Sequence, residues 1–451
     1  MPTRRCCGVP LNLSILNNQM KMNSKSICSL ALFGMSAFFV SAAEPVVTLV
    51  EECTNIRSDR RPIPVGYYDE KADKTFVCWM SADSHPAVKA FDHSSGQWSE
   101  TKIVARSPFA DKHNYPSILR GKDDRIYMFY GCHNSTLKMA VSPNPDSMEG
   151  EWTDTYIAEA ERASYPAPVL TDDNKFYVFY RDTRRSNGHT DDRPYQFVKS
   201  TDGGRTWTRQ LVIDPYPRVT DSMTEVYNGQ IAYQSGGADG SGRIHLAWTI
   251  CGEKAGRHAH ATYGRNVYYA YLDLSNDHIY NVEGRDLGTT VDSIEADKYC
   301  LALETPIPER GHSAGLQVSV HFRDNTYPVI HYNYPSEGGG RLATWDGKKW
   351  CHTSFAAAGE PRGIEKLGPE KFRIYSTMGK GVVTHITDDG GMTVRREKEI
   401  ATPVSLSRCY VIKDARPELK LLMFSNPVVP GRETLHEGSR NMYMMNDIFE
   451  K

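Results

Sequence analysis

From Val46 onward, short apolar or aromatic runs alternate with polar breaks rich in Gly, Asp, Asn and Pro. The runs read "TFVCWMS", "RIYMFYG", "KFYVFYRD", "RIHLAWTI", "NVYYAYLDL", "VSVHFRD", "YPVIHYNY", "FRIYSTM" and "LKLLMFS". Their length, alternation and β-branched or aromatic content predict strands. No stretch combines a 3.6-residue apolar period with the caps of a long helix. The expected class is all-β.

A low-contrast repeat gives that class a shape. "STDGGRTW", Ser200 to Trp207, has the S-x-D-x-G-x-x-W form of the Asp-box hairpin found in BNR-type propellers. Degenerate relatives are "FDHSSGQW" ending at Trp98, "SMEGEW" ending at Trp152, "TWDGKKW" ending at Trp350 and "TDDGGMTV" ending at Val394. Intervals of roughly fifty residues suit one four-stranded blade each. The expectation is a single seven-bladed β-propeller over residues 44–451. The Asp-box itself is structural, its Asp and Gly making the turn and its Trp packing between blades.

The N-terminal residues 1–43 read differently. Lys21 and Lys25 precede "ICSLALFGMSAFFV" and then "SAAEP". The apolar run is too short for an ordinary membrane span. The small residues Ser41 and Ala43 suit cleavage after Ala43, as in a secretory signal peptide. A secreted or periplasmic protein is expected, without a membrane partner. Seven cysteines follow that point, Cys53, Cys78, Cys132, Cys251, Cys300, Cys351 and Cys409. The odd number and wide spacing differ from a dense disulfide scaffold. The formal net charge of -2 argues against a general nucleic-acid binder, which shows a basic excess. An acidic substrate held by a few arginines is compatible with it.

A propeller gathers function in loops that converge on one face, so cooperating residues lie about fifty positions apart. Four stretches fit: "KHNYP" with His113, "YGCHN" with His133, "ASYPAPVL" with Tyr165 and "FYVFYRD" with Arg181. Each histidine is followed by asparagine, Asn114 and Asn134. We read the two His-Asn pairs as halves of one site, on adjacent strand ends of one blade. Taken singly, each residue reads as a turn or ion-pair residue. Together they supply two imidazoles, a phenol and a guanidinium.

The order His…His…Tyr-Pro…Tyr-Arg, followed by the Asp-box, resembles the BNR-repeat polysaccharide lyases that cut ulvan. Polysaccharide lyase family 25 is the nearer likeness and family 24 the next. The likeness runs from about Asp111 through Tyr271 and more loosely over the rest. It implies an active-site histidine pair at His113 and His133, a catalytic tyrosine at Tyr165 and a carboxylate-neutralising arginine at Arg181. Tyr227, Asn114 and Asn134 are the expected substrate contacts. The implied reaction is β-elimination at glucuronate or iduronate in an anionic, sulfated polysaccharide.

The residue chemistry suits that reaction. Removing the C5 proton of a uronate requires its carboxylate to be neutralised, because charge develops there in the transition state. Arginine binds a carboxylate with two parallel bonds, and His133 can add a donor. Tyr165, its pKa lowered by a nearby arginine, can take the proton and return it to the leaving oxygen. His113 is a candidate base for the opposite sugar face.

The same resemblance implies one structural zinc and no organic cofactor. "HLAWTICGEKAGRHAH" holds His245, Cys251, His258 and His260, and "SNGHTDD" holds His189. His189, His245, Cys251 and one of His258 or His260 would make a closed four-coordinate site. The alternative is a His-rich loop facing substrate. Cys132, beside His133, is read as a buried structural thiol rather than a nucleophile.

Three rivals stand beside the lyase. A sialidase would need a matched arginine triad, and only "RRPIP" at Arg60 to Pro64 resembles its N-terminal motif. A rhamnosidase or rhamnose–glucuronate lyase of the same propeller type would act on a capped side chain. In a non-catalytic carbohydrate-binding propeller, Tyr165 and Arg181 would serve binding alone.

Overall fold

The computed structural model describes residues 45–60, 64–186, 191–216, 222–236, 241–253, 260, 262–324, 326–334, 339–356, 363–427, 439–447 and 449. The signal-peptide expectation and its cleavage point fall outside these residues. The described residues belong to one compact unit, Ala42–Lys451. No helix among them is long and apolar enough to cross a membrane.

Every apolar run quoted above contains or overlaps a strand, and the strands form a β-propeller. Six sheets are each built around one local stretch of chain: residues 66–103, 117–156, 163–213, 222–312, 319–355 and 363–401. We number these blades 1 to 6. A further sheet closes the ring from both chain ends. In it Val47–Asn55 pairs antiparallel with Ser439–Met445, beside Leu421–Ser425 and Leu406–Val411. The repeat interval predicted seven like blades, whereas six are local. The closing sheet lacks a strand of its own and takes it from the N-terminus. The fourth local blade is also enlarged, to seven strands.

The first strands of neighbouring blades lie side by side, as Gly66–Asp69 does with Ser117–Arg120 and Ser117–Arg120 with Ala163–Leu170. These inner strands surround the axis. Separate apolar layers fill the spaces between blades. Phe76, Cys78, Ile126, Met128 and Trp152 form the layer between blades 1 and 2. Phe129, Met139, Phe176 and Val198 form the layer between blades 2 and 3. A blade buried on both faces needs apolar side chains at consecutive positions. Phe176–Tyr180 is accordingly buried at every residue.

The Asp-box does the work expected of it. The Asp202 carboxylate accepts from Ser200 Oγ at 2.8 Å, Arg205 N at 3.0 Å and Thr206 N at 2.9 Å. The Thr206 hydroxyl, which donates to Oδ2 at 2.6 Å, together with those bonds holds it well below the usual carboxylate range. The turn passes through Gly203 and Gly204 at φ 76° and 86°, which glycine adopts without strain. Trp207 then packs 6.3 Å from both Phe129 and Phe176, bridging blades 2 and 3.

Deleting residues 45–55 removes the outer strand of the closing sheet and exposes an unpaired edge. The melting temperature should fall by roughly 10 °C or more, measured by circular dichroism. An unchanged melt contradicts this account of closure.

Candidate active site

The predicted residues converge because three strands share one row. Ser164 is paired with His133 on one side and with Arg181 on the other. Register between Ala163–Leu170 and Phe176–Asp182 then shifts, Ser164 facing Arg181 but Ala167 facing Phe179. Tyr165 and Pro166 thus stand opposite the single Tyr180, one residue in excess, and Tyr165 stands at φ 64°. A bulge of this kind re-aims a side chain, and a non-glycine residue at positive φ stores strain. Tyr165 is thereby turned toward the histidines and Arg181.

The histidines meet as expected, with one correction. His133 lies on His133–Ser135, which pairs with the inner strand of blade 3 rather than with the blade 2 strands that flank it in sequence. His113 lies in the loop before Ser117–Arg120. The two His-Asn pairs form one site, but across a blade boundary and not on adjacent strand ends of one blade.

A carboxylate that the sequence reading passed over joins them. Asp111 Oδ1 lies 2.8 Å from His113 Nδ1, and Asp111 Oδ2 lies 2.8 Å from His133 Nδ1. The imidazole centroids are 4.3 Å apart. On its far side, His113 Nε2 meets Arg57 Nη1 at 3.0 Å. Burial depresses His113 to about 4 against the pull of Asp111, with the His133 and Arg57 charges adding to the depression. Burial also lowers His133, against the same carboxylate. Asp111 is driven strongly down by its bonds to both rings, which outweigh its partial burial. The Asp-x-His spacing is a local signal that could have found Asp111. Arg57, on the closing sheet's side, offered none.

Arg181 has no exposed surface. Its guanidinium carbon lies 4.6 Å from the Tyr165 ring centroid and 4.7 Å from that of Tyr227. Among the described residues, none of its three nitrogens makes a well-formed hydrogen bond. Burial alone would favour losing the charge, but Tyr227, Tyr165 and Glu225 reverse that and raise its pKa. Tyr165 and Tyr227 are nearly buried, whereas the Asp111, His113 and His133 side chains keep 24%, 21% and 15% exposure. The solvent-facing part of the site is therefore the histidine–aspartate group with Arg57, and Arg181 charges it from behind. A two-point grip on a carboxylate needs the tyrosine rings to move aside. The electrostatic effect on Tyr165 does not.

The asparagines divide. Asn114 is buried and donates to Phe109 O at 2.8 Å, which makes it a loop brace rather than a substrate contact. Asn134 is exposed at φ 56°, its Oδ1 accepting from Thr183 Oγ1 at 2.5 Å and Arg193 Nη1 at 3.1 Å. Cys132 is buried and its thiol is pushed up to about 12 by burial, consistent with an inert thiol. The seven cysteines among the described residues are free thiols.

The zinc set does not assemble as drawn. His189 and His258 lie outside the described residues. His245 is fully buried, with Nδ1 2.6 Å from Tyr269 Oη and Nε2 3.0 Å from Gln234 Oε1. Both ring nitrogens are thus occupied, and Cys251 lies six positions further along the same extended strand. His260 Nδ1 lies 2.7 Å from Glu225 Oε2 and 3.6 Å from Asp191 Oδ2, an acidic cluster that includes Arg193. Cys251 has a different neighbour, His312, with Sγ and Nδ1 3.5 Å apart. Two donors of one tetrahedral zinc, at typical bond lengths, lie about 3.5 Å apart. A Cβ at Gly264 would fall 2.1 Å from His312 Nδ1 and 2.9 Å from Cys251 Sγ. Glycine keeps that corner open.

Fold and site together define an Asp-box propeller with a histidine, tyrosine and arginine centre between blades 2, 3 and 4. The chain belongs to the BNR repeat-containing family, whose model matches residues 74–358. It is 24% identical over 398 residues to an ulvan lyase of Alteromonas sp. (strain LOR), covering 77% of this chain and 78% of that protein. It is 23% identical over 393 residues to the Ulvan Lyase-PL25 of Pseudoalteromonas sp. (strain PLSV), covering 77% of each. A solved PL25 ulvan lyase bound to -[GlcA(1-4)Rha3S]- superposes with a TM-score of 0.67 at 18% identity, over 89% of this chain and 94% of that one. The polysaccharide lyase Uly1 gives a TM-score of 0.58 at 12% identity, over 91% and 100%.

His245 yields a pH prediction. Its folded pKa is lowered to about 3 by burial, against about 6.5 in an unfolded chain. Between those values the unfolded state binds more protons, so stability falls as pH drops, by up to about 1.4 kcal/mol per pH unit from this group. His245→Gln should flatten the melting-temperature slope between about pH 6.5 and 4 while lowering the melt at pH 8. A parallel slope in parent and variant contradicts the assignment.

Proposed function

We propose that this protein is a polysaccharide lyase that cleaves ulvan by β-elimination at its uronate residues. The observation that carries the reading is the buried Arg181 charge, held between the Tyr165 and Tyr227 rings behind a solvent-facing histidine pair. The names of the curated relatives and the sugar in the solved PL25 complex supply the substrate.

In this reading the uronate carboxylate lands against His133 and the Arg57 side of the site. A neutralised carboxylate lets the C5 proton leave, because the developing enolate charge meets fixed donors. The positive charge of Arg181 beside the Tyr165 ring favours the phenolate, so Tyr165 removes the C5 proton and returns one to the oxygen leaving C4. His113 serves the opposite epimer once Arg57 moves off its Nε2. Beside the site, Glu225 and Asp191 are engaged with Arg193 and His260 rather than set as the acid and base of a hydrolase. We also infer secretion, from the N-terminal segment.

A structural zinc is part of the proposal with a revised donor set, Cys251 and His312 in place of His245. Elemental analysis should find about one zinc per chain. Cys251→Ala should lose it and His245→Gln should keep it. The reverse pattern rejects the revised set.

Incubation with ulvan should generate ultraviolet absorbance from a C4–C5 double bond. Tyr165→Phe removes only the hydroxyl and should abolish turnover while polymer binding survives. Arg181→Lys keeps a charge but not the flat guanidinium that fits between two rings. It should lower kcat roughly a hundred- to thousandfold. Near-normal turnover by Tyr165→Phe overturns the proposed mechanism.

A further inference from the structure

We propose that Asp111 is a positioning residue that sets both active-site imidazoles in one tautomer, so that the pair takes up a single further proton, on His133 Nε2. The inference deepens the lyase reading and rests on it for its kinetic consequence, but not for its structural one.

The geometry fixes the hydrogens. An ionised carboxylate only accepts, and each Asp111 oxygen faces one Nδ1 at 2.8 Å. Both Nδ1 atoms therefore carry hydrogen. Both contacts have the length of ordinary N–H···O hydrogen bonds. A second contact checks the first for His113. Arginine has no acceptor, so the 3.0 Å approach of Arg57 Nη1 requires a bare lone pair on His113 Nε2. Neutral His113 with its hydrogen on Nδ1 satisfies both neighbours. Among the described residues His133 Nε2 has no hydrogen-bond partner, and this side chain keeps 15% exposure. It is the open nitrogen of the pair.

The remaining groups decide how many protons the unit takes. His113 faces Asp111, Arg57, His133, Tyr115 and Tyr165, with ring centroids 6.1 and 6.5 Å from the two tyrosines. His133 faces Asp111, His113 and Tyr165, and it feels the charges of Arg181 and Arg193. Two imidazolium rings 4.3 Å apart would share one carboxylate while surrounded by three arginines. Like charges this close oppose double protonation. Arg57 caps His113, so the proton goes to His133 Nε2.

The empty unit carries one negative charge, from Asp111, where a uronate must land. Taking one proton from solvent onto His133 Nε2 cancels that charge and turns an acceptor into a donor for the uronate carboxylate. His113 stays neutral and keeps its lone pair. Asp111 thus assigns unlike tasks to two like residues.

The test is long-range proton–nitrogen NMR of the full chain with 15N-labelled histidine, assigned by His113→Gln and His133→Gln. Both residues should show a protonated Nδ1 and bare Nε2 at pH 8, and on acidification only His133 should gain an Nε2 proton first. In Asp111→Asn the amide offers one oxygen and one NH2 group, so one imidazole should switch to the Nε2–H tautomer. The alkaline fall of kcat/KM should move down by about one pH unit, since protonated His133 loses its opposite charge. Asp111→Glu should restore part of that shift. An Nε2–H tautomer in the parent, or unchanged tautomers and pH profile in Asp111→Asn, overturns the proposal. The parent spectrum decides even if the variants fail to fold. Absence of ulvan cleavage would reject the lyase reading while leaving the NMR result to judge Asp111.

Discussion

A permanent positive charge buried away from the surface governs this site. Arg181 lies fully inside the protein, and a buried charge is tolerated only where its surroundings compensate it. Its compensation comes from two tyrosine faces at 4.6 and 4.7 Å and from Glu225. A desolvated cation over an aromatic face gains about 2 kcal/mol, well short of the several kcal/mol that dehydration costs. The charge left uncompensated lies directly against the two phenol rings. Tyr165 is held at a positive φ to keep its ring there, so backbone strain and charge burial serve the same end.

The blade boundary matters as much as the charge. Within a blade, strands are bound by a continuous ladder, whereas neighbouring blades meet through side chains. His133–Ser135 crosses that boundary and hydrogen-bonds to the inner strand of the next blade. The isolated bridge between Arg193 and Glu225 crosses the following one. These two links fix three blades relative to one another at the place where their side chains must agree to within tenths of an ångström, as preorganised catalysis requires. The rest of the ring is held by apolar layers that tolerate more variation.

The strands and the propeller class were legible because blades buried on both faces need unbroken apolar runs, and the Asp-box spells out its own turn. The blade count was less legible, since the closing sheet borrows Val47–Asn55 from the far end of the chain and no local pattern marks a borrowed strand. His113, His133, Tyr165, Arg181 and Tyr227 were legible as candidates, and the fold brings their side chains together. Asp111 was overlooked although it sits two residues before His113, because a lone aspartate in a polar loop looks like a turn. His245 was misplaced for the opposite reason. A histidine in an apolar strand reads as a ligand, yet Gln234 and Tyr269 satisfy both of its nitrogens, and its distance from Cys251 follows only from the strand being extended. His312 lies 61 residues from Cys251, a separation that only the fold can bridge.

The central claim is that the site breaks a uronate linkage by removing a proton rather than by adding water. Mass spectrometry of ulvan fragments tests it without reference to any variant. Elimination leaves a new non-reducing uronate end lighter by one water than the saturated sugar, on every fragment that this cleavage creates. Fragments whose new ends all carry the full mass of a saturated uronate would contradict the account.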